Sequence, residues 1–139
     1  MKRWGSLRPQ LMEFLATKHQ TGLIIEIHLD EGEIDESLER LKGYRGHPYE
    51  SEWLRLKVAA AAATTRPQAA LEIYRNHAER LIERQGRHNY RDACGYLKKV
   101  RTLYDELGQT AAWTKEAARL REKYQRLPAL LDEMKRARL

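Results

Sequence analysis

Reactive side chains do chemistry only when their spacing brings them together, and few sets in this sequence are so spaced. The five histidines, His19, His28, His47, His77 and His88, include no pair four residues apart and no His-Glu-x-x-His run. That spacing would set two imidazoles on one helix face toward a single metal. His28 and His77 fall on apolar stripes and are expected in the core, each with a backbone partner. A lone cysteine, Cys94, excludes an internal disulfide and a thiolate zinc cage built by this chain alone. Beside Ala93 on the core edge of its helix, it reads as a buried, inert thiol. The carboxylate pairs Asp30/Glu31 and Asp35/Glu36 flank a turn at a helix start, where the helix macrodipole accounts for them. No Gly-x-Gly-x-x-Gly or Gly-Lys-Ser/Thr run is present to cradle a phosphate. The sequence therefore predicts no catalytic residue, no metal ligand and no cofactor, and a protein that is not an enzyme.

Charge is the stronger signal. Residues 1–64 hold 9 Lys/Arg against 10 Asp/Glu, whereas residues 65–139 hold 17 against 10 and so carry the whole positive excess. Such a surface attracts nucleic acid, anionic lipid heads or an acidic protein. Helical spacing points Lys98, Lys99 and Arg101 away from the stripe Tyr90, Ala93, Leu97, Val100, Tyr104. It likewise leaves Arg119, Arg121 and Lys123 outside the stripe Trp113, Ala117, Leu120, Tyr124. These six cations are the candidate binding residues for an anionic partner. The competing reading is a solvated face laced by Arg75/Glu79 and Glu122/Arg126 pairs at i, i+4. Trp53, Trp113 and the tyrosines at 49, 74, 90, 104 and 124 lie at core spacing and are expected to pack rather than to stack bases.

The elements that must position these residues are helices. Ser6 can cap and Pro9 suits a first turn for a helix over Leu7–His19. Thr21–Glu31 alternates Ile25, Ile27 and Leu29 with polar residues as a strand would, but no second β-branched segment exists to pair with it. It is therefore read as a helix with Ile24, Ile27 and His28 inward. Gly32 ends it, and Ile34–Leu41 follows with Gly43 as its stop. Tyr49, Trp53, Leu56, Ala60 and Ala63 predict a helix face running to about Thr64. Arg66-Pro67 restarts the chain, and Ala70, Leu71, Tyr74, His77, Ala78, Leu81 and Ile82 form a broad stripe to Gly86. The Tyr90 stripe stops at Gly108, the Trp113 stripe reaches Leu127, and Leu130, Leu131 and Met134 mark a last helix after Pro128. The fold class is all-α, with about eight helices.

Three segments repeat one pattern: Gly32-Glu-Ile34-Asp-Glu-Ser37-Leu-Glu-Arg-Leu41, Arg66-Pro67-Gln-Ala-Ala70-Leu-Glu-Ile-Tyr74 and Asn89-Tyr90-Arg-Asp-Ala93-Cys-Gly-Tyr-Leu97. Each has a turn, an anchor, a small residue three on and a large one four further, with Ser37, Ala70 and Ala93 small where two helices would cross. Over roughly Thr21 to Tyr124 this resembles degenerate tetratricopeptide repeats. The resemblance implies antiparallel helical hairpins stacked as a short α-solenoid, and residues 1–139 as one helical-repeat domain. The order of these segments with Trp53-Leu-Arg-Leu-Lys-Val-Ala, Lys99-Val-Arg-Thr-Leu-Tyr and Leu127-Pro-Ala-Leu-Leu-Asp-Glu is also similar to the helical region after the zinc finger of bacterial SWIM-type proteins. The SWIM ligands, Cys-x-Cys and Cys-x-His, are absent. The resemblance thus implies a helical accessory module, such as could be cut from a longer protein, and no zinc chemistry.

Length and composition agree. With 139 residues, 42% of them apolar and 33% charged, the chain can build one core and is neither disordered nor fibrous. Its longest apolar run, Val58–Ala63, is far short of the ~20 residues a membrane span needs, and the start Met1-Lys2-Arg3-Trp4 lacks a signal-peptide core. The expectation is a cytoplasmic, non-catalytic scaffold that binds another protein, with an accessory nucleic-acid surface on the basic half as the alternative.

Overall fold

The computed structural model describes the backbone of residues 2–17, 20–44 and 48–139, and side chains among them except those of 2–6, 17, 48 and 49. Over these residues the chain is all-helical: α1 (Lys2–Thr17), α2 (Thr21–Asp30), α3 (Ile34–Lys42), α4 (Pro48–Ala62), α5 (Pro67–Arg84), α6 (Arg87–Glu106), α7 (Thr110–Lys123) and α8 (Pro128–Arg136). No strand forms, so the Ile/Leu alternation of residues 25–29 lies in α2, with Gly22, Ile24, Ile25 and His28 buried. None of these helices is long and apolar enough to cross a membrane.

The chain divides into two compact units, one up to Ala61 and one from Ala62. In the first, α2 packs against both α1 and α3. Gly32, at φ +73°, closes α2 as the sequence requires. The Glu33 N–H then returns to the His28 carbonyl at 2.7 Å, and only glycine adopts that left-handed turn without strain. Two expectations fail in α1 and α4. α1 begins at Lys2, so Pro9 sits inside the helix rather than in its first turn and removes one intrahelical hydrogen bond. The buried face of α4 is Leu54, Val58, Ala59 and Ala62, while Trp53 is 52% exposed. The buried face thus lies on nearly the opposite side of the helix from Trp53, Leu56, Ala60 and Ala63, because a run of alanines carries no size signal to fix the phase. Ser6 likewise lies inside α1 and so does not cap its start, while the side chains of Tyr49, His19 and His47 lie outside the described residues.

In the second unit α6 is the central helix and packs against α5, α7 and α8. The buried face of α5 is Ala70, Leu71, Tyr74, His77, Ala78, Leu81 and Ile82, the stripe read from the sequence. α6 buries Tyr90, Ala93, Cys94, Leu97, Val100, Leu103 and Tyr104 and ends at Gly108, again left-handed with φ +69°. Trp113, Ala117 and Leu120 of α7 and Leu130 and Met134 of α8 complete this core. Ser37, Ala70 and Ala93, the small residues of the recurring pattern, are all fully buried.

Candidate functional site

The six candidate cations are all in the second unit, but they do not form one patch. Arg119 and Lys123, one turn apart on α7, converge on the Glu79 carboxylate of α5 at 3.0 and 3.4 Å. Arg119 also meets the largely buried Glu116 at 2.8 Å, and these carboxylates hold its guanidinium firmly protonated. The contact with Tyr124 and the charge of Glu79 likewise raise Lys123 above the ordinary lysine range. On the other side of α7, Arg121 donates to the Leu139 backbone oxygen, and Arg101 of α6 donates to the Arg138 carbonyl at 2.7 Å. Four of the six therefore tie the unit's own elements together.

Other cations of this half do the same. Arg87 bridges Asp132 at 2.8 Å and the buried Glu133 at 2.9 Å, and Arg136 meets Asp132 at 3.0 Å. The Arg87 hydrogen bond, helped by Arg136, holds the Asp132 carboxyl below its ordinary range. Glu79 spends its charge on α7 rather than on Arg75, so the expected i, i+4 pair does not form. The Arg126 side chain makes no ion pair among the described residues, so the Glu122/Arg126 pair is absent too.

Lys98 and Lys99 differ. Both are exposed, and among the described residues neither meets a carboxylate within ion-pair distance. They border a groove of about 380 Å³ lined by Ala63, Thr64, Tyr74, Thr102, Leu103 and Glu106, most of its wall apolar. The Lys99 ammonium lies 5.7 Å from the centre of the Tyr74 ring. Tyr74 stacks on Tyr96 at 5.9 Å, and the His77 ring meets the edge of Tyr96 at 4.6 Å. Burial, then the neighbouring Tyr96, pushes the Tyr74 hydroxyl above the ordinary tyrosine range.

The remaining reactive groups are accounted for by packing. Cys94 is buried, and its thiol is pushed up to about 11, first by burial and then by the Glu133 charge. His28 is buried as expected, but its Nδ1 faces the Glu33 carboxylate at 3.0 Å, which Arg8 also engages, rather than a backbone group. Among the described residues no cluster of three His, Cys, Asp or Glu is arranged to hold a metal ion. The sequence signal for the groove was weak, because its lining residues come from the α4–α5 turn, α5 and α6 and share no motif.

No family model matches the chain. It is similar to the "Uncharacterized protein YwqB" of Bacillus subtilis (strain 168), with 32% identity over 77 residues. The match covers 55% of this chain and 14% of that protein, so the chain spans a small part of the length of this relative. No solved structure matches.

Proposed function

We propose that the chain is a non-catalytic helical module that binds another protein through the groove beside α6, its helices stacking as hairpins in the tetratricopeptide manner. One observation carries this reading. Four of the six candidate cations are already bound within the second unit, whereas Lys98 and Lys99 remain open beside an apolar wall. A surface that tracks a phosphate backbone needs a run of uncommitted cations, and one that holds a single strand needs exposed rings as well. An apolar groove with a charged rim is the anatomy of a protein interface. The full burial of Ser37, Ala70 and Ala93 supports hairpin crossings. The match to a short part of a much longer protein supports an accessory module, as the similarity to the helical region of SWIM-type proteins implies.

The test is photocrosslinking in the native host from a photoreactive residue placed at Thr102, in the groove, with Thr114 on the exposed side of α7 as control. The expected adduct forms from Thr102, is protease-sensitive and survives nuclease. A nuclease-sensitive adduct, or equal yields from both positions, would contradict the reading.

A further inference from the structure

Along α6 the groove has an electrical direction. Lys98 and Lys99 stand at one end and Glu106 at the other, with Thr102 and Leu103 between. Lys99 and Glu106 are seven residues apart, which at ~1.5 Å per residue is about 10 Å along the helix axis. An extended chain rises ~3.3 Å per residue, so about three residues of an occupant cover that distance. Between the charged ends the wall is Ala63, Tyr74 and Leu103, and Tyr74 and Leu103 are buried enough to form a floor.

We infer that the groove takes an extended protein segment with a carboxylate side chain at one end, an apolar side chain in the middle and a basic or amide side chain at the other. This rests on the protein-binding reading above and specifies its ligand. The carboxylate lies against Lys98 and Lys99, the apolar side chain enters between Ala63, Tyr74 and Leu103, and the far end meets Glu106. Neither lysine has a carboxylate partner among the described residues, so no internal ion pair must break when the occupant arrives. A nucleic acid fits less well. Tyr74 is only 7% exposed, a floor for a small apolar side chain but too little ring for a base to stack on, and Glu106 opposes a continuing line of phosphates.

The experiment is selection of random octapeptides displayed on phage against the full chain, in parallel with the charge-swapped variants Lys98→Glu/Lys99→Glu and Glu106→Lys, and with a random RNA pool on the same proteins. All three substituted side chains are exposed, and unchanged helical circular dichroism and melting confirm that each variant is folded. The wild-type consensus should place Asp or Glu two or three positions from an aliphatic or aromatic residue, with Lys, Arg or Gln beyond it. The lysine swap should replace the acidic position with a basic one and weaken the parent peptide at least tenfold, and Glu106→Lys should change only the far end. No enrichment, a consensus without the acidic position, or a consensus unmoved by the swaps would overturn the inference. So would retention of RNA instead of peptide through Lys98 and Lys99. A protein adduct from Thr102 combined with any of these peptide results would leave the protein-binding reading standing and remove only its ligand chemistry.

Discussion

At the scale of single residues, neighbouring positions on α6 have opposite roles. Leu97 is fully buried in the core of the second unit, whereas Lys98 is exposed. Leu97→Ala should therefore cost on the order of 2–5 kcal/mol and Lys98→Ala no more than ~0.5, measured by urea unfolding. Equal losses would mean that the helix face is misplaced. Cys94 offers a pH test. Its thiol is pushed from an ordinary value near 9 up to about 11 in the fold, so the native state keeps a proton that the unfolded chain loses. Its contribution is constant below the unfolded value, and stability falls as pH climbs from about 9 to about 11. Replacement by alanine should flatten that alkaline decline. At pH 8 the two-unit difference leaves on the order of a hundredfold less thiolate than in the denatured chain, and alkylation of the native protein should slow accordingly. Native and denatured rates that coincide would show the thiol to be open.

At the scale of elements, what the sequence revealed depended on how much side-chain size marked each stripe. The α5 stripe combines leucine, isoleucine, tyrosine and histidine over about three and a half turns, and every residue read inward is buried. α4 ends in alanines, and its one large landmark, Trp53, points outward beside Lys57, whose ammonium lies 5.0 Å from the ring centre. Leu54→Ala should consequently cost about 2–5 kcal/mol, and Trp53→Ala within ~1 kcal/mol, by the same unfolding measurement. The reverse order would restore the stripe expected from spacing alone. Pro9 was misplaced because a proline marks a first turn more often than it survives within a helix. Tyr44, which lacks helical periodicity, is nonetheless buried, a packing no local pattern announces. The cations show the same limit. Their outward direction was legible, but their partners were not, since Glu79 lies 40 residues from Arg119 and Asp132 45 from Arg87. Ion pairing of that separation is set by which helices pack together.

At the scale of the whole molecule, the second unit contains the central helix α6, the three helices packed on it, the groove and the bridges of Arg87 and Arg119. A fragment from Ala62 to Leu139 should retain its helical signal and melt cooperatively, because it forms a compact unit in which α5, α7 and α8 pack on α6. Non-cooperative melting of that fragment would show that the unit depends on the rest of the chain.

The central claim is that binding runs through an apolar groove with two open lysines, not through a broad cationic face. The salt dependence of affinity separates these directly. Six phosphate contacts would cost on the order of a thousandfold or more in affinity between about 50 and 200 mM salt, whereas two charges account for no more than about tenfold. Titration of the octapeptide selected on the wild-type chain, followed over that range, should lose at most about tenfold. A steeper loss, matched by equally strong low-salt binding of short duplex DNA, would contradict the account and return the site to the basic surface as a whole.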